Sequence, residues 1–394
     1  MTGTLDNDIL IAGWGHSRFG KLPDQTLESL VVDVATQALE SAGLEPRDVD
    51  AVFLAHFNAG MWPLGFASSL VLQMSPDLFG VPATRVENAC ASGSAAVHQG
   101  ITALLAGTAR RVLVVGAEKM THAPASAVGA GLLSADYESA GQPSTSGFAG
   151  LFAQVALAYE HRYGPVGDVL GDIAAKSHRN AMRNPDAHLR KDLGQEFCRT
   201  VSERNPLVAG PLRRTDCSPV SDGAAAVVLS RGPLPAAAVP PARITGFAQA
   251  NDFLPATRRD PIAFAATELA WRRALQAAGV SLWDLDFAEV HDCFTIAELI
   301  LYEVMGLADR GKGRLAVEEG LVEPDGRLPI NVSGGLKSKG HPVGATGVSQ
   351  HVLAAMQLSG TAGDMQLASA RRGAVINMGG LAVANHVTLL ESCT

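Results

Sequence analysis

The feature that most limits how this chain can fold is an internal repeat. The segment ALESAGLEPRDVD, which begins at Ala38, matches ALQAAGVSLWDLD, which begins at Ala274, at Ala-Leu, Ala-Gly and Asp-x-Asp without a gap. Both copies follow an amphipathic pattern with helical spacing, and Gly43 and Gly279 stand where a left-handed residue ends a helix. Each copy then continues into a short apolar run, AVFLA or FAEV, which predicts a strand.

A second pair of segments repeats in the same order. ARRVLVVGAE begins at Ala109 and ARRGAVINMGG begins at Ala370, and each places two arginines before an apolar run. Runs of this kind are typical of strands that are covered on both faces, as in α/β proteins. The simplest interpretation is an α/β protein built from two duplicated halves.

The segments that are not repeated indicate the domain boundaries. The proline-rich segment SRGPLPAAAVPPARITG, residues 230–246, marks the linker between the halves. Residues from about 119 to 212 have no counterpart in the second half. We therefore predict a first half formed by residues 1–118 and 213–235, an inserted, partly helical domain at 119–212 on the surface of the first half, and a second half at 236–394.

Composition and charge argue against several classes of partner. The net charge is −8 and the pI is about 5.8, so the chain has no electrostatic footprint for nucleic acid or an anionic membrane. The five cysteines are scattered and lack metal-ligand spacing, which favours a reducing compartment over a disulfide framework. We expect a cytoplasmic protein that binds no metal, no nucleic acid and no membrane.

One cysteine stands in a position suited to nucleophilic chemistry. In VENACASGSAAVHQG, Cys90 follows a predicted strand and precedes a predicted helix. A helix N-terminus favours thiolate over thiol, and the small residues after Cys90 leave room for a ligand. The alternative is an inert buried cysteine, which is the commoner fate of a single cysteine.

A second cluster, His291, Asp292 and Cys293, stands at the end of the predicted second-half strand, before an amphipathic helix. Ligand sites in α/β folds gather at such strand ends. His291 and Cys293 could supply a hydrogen-bond donor and a proton-carrying thiol. Alternatively, Asp292 only caps the helix while its neighbours pack.

A third segment, SGGLKSKGHPVGATG, has the glycine spacing of a phosphate-binding loop without its chemistry. Gly335 and Gly340 fit a Walker A loop, but His341 and Pro342 occupy the places of its Lys and its Ser or Thr. The glycines and Pro342 hold His341 on a restricted backbone. A rigid histidine together with a helix-capped cysteine predicts a nucleophile and its base.

In this order the three segments resemble the thiolase superfamily and, more narrowly, the sterol carrier protein type thiolases. NACASGSAA, HDCFT and SGGLKSKGHPVGATG match, as does DCSPVSDGAAAVVLS from Asp216, and HDCF stands where other thiolases have NEAF. The resemblance covers nearly the whole chain. It implies the thiolase fold, a layered α/β/α/β/α arrangement of two duplicated halves with an inserted loop domain, and an acyl-CoA acyltransferase activity.

The resemblance also implies a role for each motif. Cys90 corresponds to the acyl-accepting nucleophile, and His341 corresponds to the base that takes its proton and then helps to bind the thioester oxygen. His291 supports that oxyanion hole, and Cys293 moves the α-carbon proton. A second oxyanion hole is implied for the backbone N–H groups of Cys90 and Gly379, and such donors are worth about 3 to 4 kcal/mol each in acyl transfer.

One position departs from the pattern of many thiolases. Their late Cys-x-Gly motif supplies the acid/base thiol, but Asn377, Met378 and Gly379 stand here. In the HDCF-bearing subfamily Cys293 replaces that thiol, so the departure supports the narrower resemblance and makes Cys293 indispensable. For Asn377 a purely structural part is one interpretation.

Substrates and partners follow from the same resemblance. It implies cleavage of 3-ketoacyl-CoA with CoA, or its formation by Claisen condensation, with CoA as co-substrate and no permanently bound cofactor. Ser333 is expected to line the pantetheine channel. Arg179, Arg183, Arg190 and Lys191 are candidates for the CoA phosphates, although a solvated charged face is at least as good an interpretation. We expect a homodimer or homotetramer, with the strand after Ala109 at its interface.

Two other functions stay open on the sequence alone. One is a thiolase-like aldolase or acyltransferase that works with an OB-fold partner protein. The other is a non-catalytic subunit that binds acyl-CoA or lipid. The presence of Cys90, His291, Cys293 and His341 argues against both, because aldolases that resemble this subfamily replace the catalytic residues and a binding subunit has no need of a nucleophile.

Overall fold

The structure is a computed structural model that describes residues 8–232, 234 and 237–393. The predicted boundary between residues 235 and 236 lies outside the described residues. The helices are α1 Leu27–Ala42, α2 Ser92–Leu105, α3 Ala125–Leu133, α4 Gly147–Tyr163, α5 Gly167–Ala181, α6 Gln195–Arg199, α7 Ala265–Ala278, α8 Thr295–Met305, α9 Arg314–Glu318 and α10 Thr346–Ser359. The strands are β1 Ile9–His16, β2 Ala51–Ala55, β3 Ala83–Val86, β4 Arg111–Glu118, β5 Leu207–Ala209, β6 Leu212–Arg213, β7 Gly223–Arg231, β8 Ala242–Asn251, β9 Phe287–Val290, β10 Arg372–Gly379 and β11 Ala384–Ser392.

Nine strands form one sheet in the order β3-β2-β4-β7-β1-β8-β11-β10-β9. The first-half strands lie on one side of this order and the second-half strands on the other, and the halves meet where β1 pairs antiparallel with β8. At one edge, Ile330 pairs with Ala288 and so covers β9. At the other edge, β3 has no strand on its outer side among the described residues.

The duplication predicted from the sequence is confirmed by the backbone. Helix α1 ends at Gly43 with φ of 64°, and α7 ends at Gly279 with φ of 68°. The run AVFLA forms β2 and FAEV forms β9. Each of them pairs in parallel with the strand that follows an Arg-Arg pair, β4 or β10.

The two repeated sequence elements of each half also meet through the same contact. In the first half, one carboxylate oxygen of Asp50 accepts hydrogen bonds from the N–H groups of Arg110 at 2.7 Å and Arg111 at 2.9 Å. In the second half, Asp286 accepts from Arg371 at 2.7 Å and Arg372 at 2.9 Å. The last aspartate of Asp-x-Asp therefore fixes the start of the Arg-Arg strand in both halves.

Helices cover the strands on both faces, and sheet and helices therefore alternate in layers. On β4, Val112 and Val114 pack into the core that contains α2 and α10, whereas Leu113 and Val115 pack with α1. Alternation of this kind follows from the two-residue period of a strand. Val375 of β10 joins the core of α2 and α10 from the second half, and α7 and α8 cover the opposite face. The result is the predicted α/β/α/β/α arrangement.

The strand after Ala109 does not lie at an interface, so that prediction is wrong. Strand β4 pairs with β2 on one side and with β7 on the other, and its residues from Val112 to Val115 are fully buried. The apolar run therefore reflects burial between two layers of this chain's own helices.

Part of the inserted segment lies elsewhere than predicted: α3 packs on the first half, where Val128 contacts the cluster of Phe57 and Cys90, but α4 and α5 pack against the second half. The ring of Phe152 in α4 stacks on that of Phe294, with 4.6 Å between ring centroids. Lys176 in α5 forms a buried ion pair with Glu298 in α8. The apolar faces of α4 and α5 share one core with α7 and α8, and this burial decides the placement. The exact domain boundaries stay a prediction.

Within the described part of the chain, no helix combines the length and the apolar character that a membrane span requires.

Candidate active site

Cys90 lies in a tight turn between β3 and α2, as the sequence predicted. The preceding residue, Ala89, has φ of 49°, a left-handed conformation that is uncommon outside glycine. The turn presents the sulfur to an apolar cluster that includes Phe57, Met120 and Val128. A strained backbone of this kind persists only where its surroundings hold it, and such positions cluster at functional sites.

His341 lies at the N-terminal side of α10, and its hydrogen bonds assign its tautomer. Its Nδ1 lies 2.7 Å from the hydroxyl of Thr346, and that hydroxyl donates its single hydrogen to the carbonyl of Pro342 at 3.1 Å. The Nδ1 atom must then be the donor to Thr346. In the neutral ring, Nε2 is left with a free lone pair, which suits a base.

His291 and Cys293 follow directly after β9, and the loop that carries them is fixed to the glycine-rich segment. The carboxylate of Asp292 accepts hydrogen bonds from the N–H groups of Leu336 at 2.6 Å and Lys337 at 3.3 Å. These contacts hold the π-helical turn Gly335–Lys339, so Asp292 caps that turn, whereas the sequence alternative placed it as a cap of α8.

The three distant segments converge, as predicted. The sulfur of Cys90 and one ring nitrogen each of His291 and His341 all lie within 4.8 Å of one another, and all three side chains are buried. The rings of the two histidines meet edge to face, with 5.3 Å between centroids. Their distances alone would also suit a thiophilic metal ion, so the absence of a resident metal stays a prediction.

Burial sets the resting protonation of the site. It raises the pKa of the Cys90 thiol to about 12, although a hydrogen bond from the backbone of Gly380 acts in the opposite direction. Burial lowers the pKa of His341 to about 3, with the charge of Lys339 adding to the effect, and it lowers the pKa of His291 well below its usual value. It also raises the pKa of Cys293. The helix N-terminus was expected to favour a thiolate, but desolvation outweighs it, and Cys90 and His341 rest as a neutral pair.

A cavity of about 390 Å³ lies next to three of the four candidate catalytic side chains, and His291 is not among its lining residues. Cys90, Cys293 and His341 line it together. The rest of its surface is mainly apolar and includes Met120, Val128, Leu132, Phe148 and Phe294. Such a cavity can hold an acyl group away from water next to the thiols.

A second cavity, of about 640 Å³, adjoins the first. The two share Val208, Cys217, Ser218 and Pro219 as lining residues. At this shared wall the N–H of Ser218 donates to the carbonyl of Cys293 at 3.0 Å. The outer cavity is basic, because its lining includes Lys191, Arg204, Arg214 and Lys337, with Glu203 as the one acidic residue on it. His178 also lines it but is neutral, because burial and the charge of Lys337 lower its pKa to about 3.

Of the residues predicted to bind substrate, Lys191 lines the outer cavity, whereas Ser333, Arg179, Arg183 and Arg190 line neither cavity. Ser333 is buried, donates its hydroxyl to Glu289 at 2.6 Å and lines neither cavity. Arg179 pairs with Glu323 at 2.6 Å, and neither Arg179 nor Arg183 lines either cavity. No contact in the structure supports a substrate-binding role for the four residues that line neither cavity, so their roles stay predictions.

Gly379 lies beside the turn that carries Cys90, but it does not line the cavity next to that residue. A Cβ on Gly379 would stand 2.3 Å from the carbonyl oxygen of Asn88, so only glycine fits against the turn. The backbone group that reaches the Cys90 sulfur is that of the next residue, Gly380. The role of Gly379 as an oxyanion donor stays a prediction.

Comparison with known proteins agrees with this geometry. A sequence profile described as thiolase, N-terminal domain, matches residues 9–232, and one described as thiolase C-terminal domain-like matches residues 248–392. The chain belongs to the thiolase family.

Individual relatives show which proteins this thiolase is most usefully compared with. The acetyl-CoA acetyltransferase of Methanothermobacter thermautotrophicus is 35% identical over 379 residues, which are 95% of this chain and 96% of that protein. The benzoylsuccinyl-CoA thiolase subunit BbsB of Thauera aromatica is 27% identical over 394 residues, 99% of each chain. A solved Ltp2-ChsH2(DUF35) aldolase matches with a TM-score of 0.79 over 99% of both chains, but at 22% identity this likeness shows the fold alone. This thiolase is an acyl-CoA acyltransferase of the thiolase type.

Sequence reasoning missed two residues of the site. Ser218 stands within DCSPVSDGAAAVVLS, which carried the resemblance but received no role. Asn377 stands at the place of the missing cysteine, and its amide reaches both His291 and the backbone of Cys90. The departure from Cys-x-Gly was the signal for Asn377, whereas Ser218 had no signal beyond the motif itself.

Proposed function

We propose that this thiolase cleaves 3-ketoacyl-CoA with CoA, or forms it by Claisen condensation in the reverse direction, through an acyl-enzyme on Cys90. One observation carries the proposal: the sulfur of Cys90 and ring nitrogens of His291 and His341 lie within 4.8 Å of one another, and Cys293 lines the same cavity. A nucleophile, its base and a second thiol in a mainly apolar cavity are what two-step acyl transfer requires.

In the cleavage direction, the Nε2 lone pair of His341 takes the proton of the Cys90 thiol as the sulfur attacks the 3-keto carbon. The bond between Cα and Cβ then breaks, and its electron pair stays on the departing thioester. Cys293 protonates that carbanion, which leaves as an acyl-CoA shorter by the transferred group. The thiol of CoA attacks the acyl-enzyme next and gives its proton to the thiolate of Cys293. The bond between the acyl carbon and the Cys90 sulfur breaks, His341 returns its proton to that sulfur, and the acyl group leaves as a second acyl-CoA.

The two adjoining cavities support a placement for CoA, which we propose as the co-substrate. The phosphates would lie in the outer cavity near Lys191, Arg204 and Arg214, because basic side chains with no carboxylate partner in the described part of the chain are available there. The pantetheine arm would pass Ser218 and Pro219, which both cavities share. The thioester then reaches Cys90 and Cys293.

The cavity that Cys90, Cys293 and His341 line has room for acyl groups larger than acetyl. A cavity of roughly 150 Å³ is enough to hold benzene, and this one measures about 390 Å³ with room for the end of the pantetheine arm. Val128 and Leu132 of α3 face Cys90 across it, in a cluster with Met120. We propose an apolar acyl chain along α3.

We further propose a cytoplasmic homodimer that forms through the edge of β3. This is the sheet edge with no strand on its outer side among the described residues, and exposed edges invite pairing with another chain. Phe66 and Phe79, which both precede β3 in sequence, are 73% and 94% exposed. Sedimentation of the purified chain, with Phe79→Glu as the disrupting variant, tests the dimer.

Acetyl-CoA labelling followed by intact mass measurement tests the catalytic proposal. We expect one acetyl group per chain, mapped to Cys90 and absent in Cys90→Ala. CoA binding without any covalent adduct would support a binding subunit instead. Adduct formation without cleavage or condensation, restored by an added OB-fold protein, would support a partner-dependent enzyme.

A further inference from the structure

The carboxamide of Asn377 is held in one orientation by two backbone groups of opposite polarity. Asn377 is fully buried on β10. Its Nδ2 donates to the carbonyl of Cys90 at 3.1 Å, and its Oδ1 accepts from the N–H of Ser94 at 3.4 Å. A flipped amide would set oxygen against the Cys90 carbonyl and NH₂ against the Ser94 N–H. Both contacts would then be repulsive, so the orientation is determined.

That orientation decides which nitrogen of His291 carries the proton. The same Nδ2 lies 2.9 Å from Nδ1 of His291, and an amide NH₂ can only donate. Nδ1 of His291 is therefore the acceptor, and the single proton of the neutral ring sits on Nε2. The Nε2 atom is buried and has no hydrogen-bond partner anywhere in the described chain, so it is free to bind a substrate oxygen.

The neighbouring histidine has the opposite tautomer. His341 donates from Nδ1 to Thr346 and keeps a lone pair on Nε2. One site thus holds two imidazoles that differ in what Nε2 can do: His341 can accept the thiol proton of Cys90, and His291 can only donate.

We propose that Asn377 is a positioning residue that holds His291 as its Nε2–H tautomer, so that His291 serves as an oxyanion donor and does not compete with His341 as a base. The inference rests on the proposed function and explains why an amide stands where many thiolases have a thiol. The Nε2–H group of His291 would then already point in a fixed direction before the substrate oxygen binds. Oxyanion stabilisation requires a donor that is oriented in advance in this way.

The decisive variant is Asn377→Asp, which keeps the shape but replaces a donor by an acceptor. A carboxylate oxygen would draw the His291 proton to Nδ1 and leave Nε2 without a hydrogen. We expect exchange of the α-protons of acetyl-CoA with solvent to fall by about 100- to 1,000-fold, the loss typical of one oxyanion donor, with little change in KM. Asn385→Asp is the matched control, because Asn385 is also a buried β-strand amide that donates to backbone carbonyls, but its side chain makes no hydrogen bond to a histidine among the described residues.

Adding Asn377→Asp to the His291→Asn variant distinguishes a positioning role of Asn377 from a purely structural role. In His291→Asn the donor is an amide that needs no tautomer selection, so adding Asn377→Asp should lower exchange much less than it does in the wild-type background, leaving only the effect of the lost hydrogen bond to the Cys90 carbonyl. An equal loss in both backgrounds would overturn the proposal, as would retained exchange in the single variant. If the wild-type chain neither acetylates Cys90 nor exchanges α-protons, the proposed function itself has failed.

A measurement on the unaltered protein keeps the proposal testable if Asn377→Asp does not fold. With ¹⁵N-labelled histidine, the pattern of two-bond couplings distinguishes the two neutral tautomers, and His291→Asn identifies the signal by its loss. We expect an Nε2–H ring for His291. An Nδ1–H ring would overturn the assignment.

Discussion

Gly93 of α2 lies directly against Gly347 of α10. A Cβ on Gly93 would stand 2.6 Å from the backbone nitrogen of Gly347, which no real Cβ contact allows. This approach brings the N-terminal ends of the two central helices together, and Cys90 and His341 lie just before those ends. The distance between nucleophile and base is therefore set by two residues that have no side chain.

The first prediction tests this contact through Gly347→Ala. The added Cβ would meet the backbone nitrogen of Ser94 at 2.2 Å and Oδ1 of Asn377 at 2.3 Å, and neither atom is free to move. We expect a loss of about 1 to 3 kcal/mol in the free energy of unfolding, as for overpacking in other cores, together with slower acetylation of Cys90. Gly167→Ala is the control, because a Cβ there meets no atom within 4 Å. Unchanged acetylation and stability in Gly347→Ala would contradict the argument.

The second prediction separates the two thiols. Cys293→Ala should still accept an acetyl group on Cys90, because Cys293 is not the nucleophile, but exchange of α-protons should fall by about 100-fold or more, as on loss of a general acid/base. Mass spectrometry follows the adduct, and loss of deuterium from labelled acetyl-CoA follows the exchange. Retained exchange in Cys293→Ala would place the proton shuttle elsewhere.

The third prediction concerns pH. Because burial lowers the pKa of His341 to about 3 and raises that of Cys90 to about 12, neither group titrates in the neutral range. The single-turnover rate of Cys90 acetylation should therefore be flat between about pH 5 and pH 7, since a histidine with its usual pKa near 6.5 would give an inflection inside this range. Such an inflection would contradict a buried neutral pair. Above pH 7 the charge of Lys339 next to His341 begins to be lost, because burial lowers the pKa of Lys339 to about 8. His341→Ala should slow acetylation by about 100- to 10,000-fold.

The fourth prediction compares two sets of arginines as contacts for the CoA phosphates. Arg204→Glu and Arg214→Glu should each raise KM for a CoA ester by roughly tenfold with little change in kcat, since a charge-assisted hydrogen bond is lost before the chemical step. Added salt should reduce the difference from wild type. Arg183→Glu, at an exposed arginine outside both cavities, is the control. If Arg183→Glu has the larger effect, the original sequence interpretation was right and the outer cavity is not the phosphate site.

The fifth prediction concerns stability in acid. His98, His351 and His386 are buried between α2, α10 and β11, and the hydroxyl of Thr388 lies 2.9 Å from Nε2 of both His98 and His351. Burial lowers the pKa of His351 to about 4 and that of His386 to about 3, and it lowers that of His98 as well. Below about pH 6.5 the unfolded chain binds protons that the folded chain refuses, so stability falls as pH falls, by at most about 1.4 kcal/mol per pH unit for each histidine.

Urea unfolding at several pH values checks the acid dependence. In His386→Phe the slope of unfolding free energy against pH between about 4 and 6.5 should be smaller, because one proton uptake is removed. His386 is suited to this test, since neither of its ring nitrogens has a hydrogen-bond partner in the described part of the chain. An unchanged slope would assign the acid dependence to other groups.

The sequence alone determined the layers, the duplication and the candidate reacting groups. Helical and strand periodicities, Gly43 and Gly279 at helix ends and the repeated Asp-x-Asp and Arg-Arg elements are local signals, so they can be recognised without knowing what packs where. Cys90, His291, Cys293 and His341 were predictable for the same reason, since each lies in a short motif at a strand or helix end.

Only the tertiary structure decided how those groups are poised and what surrounds them. The tautomers of His341 and His291 depend on Thr346 and Asn377, and Asn377 comes from another strand whose amide is oriented by the backbone of Cys90 and Ser94. The outer basic cavity, and the side of the molecule on which α4 and α5 pack, likewise arise from contacts between residues far apart in the chain. Desolvation and hydrogen-bond partners are properties of a packed interior, and no local pattern of residue types encodes them.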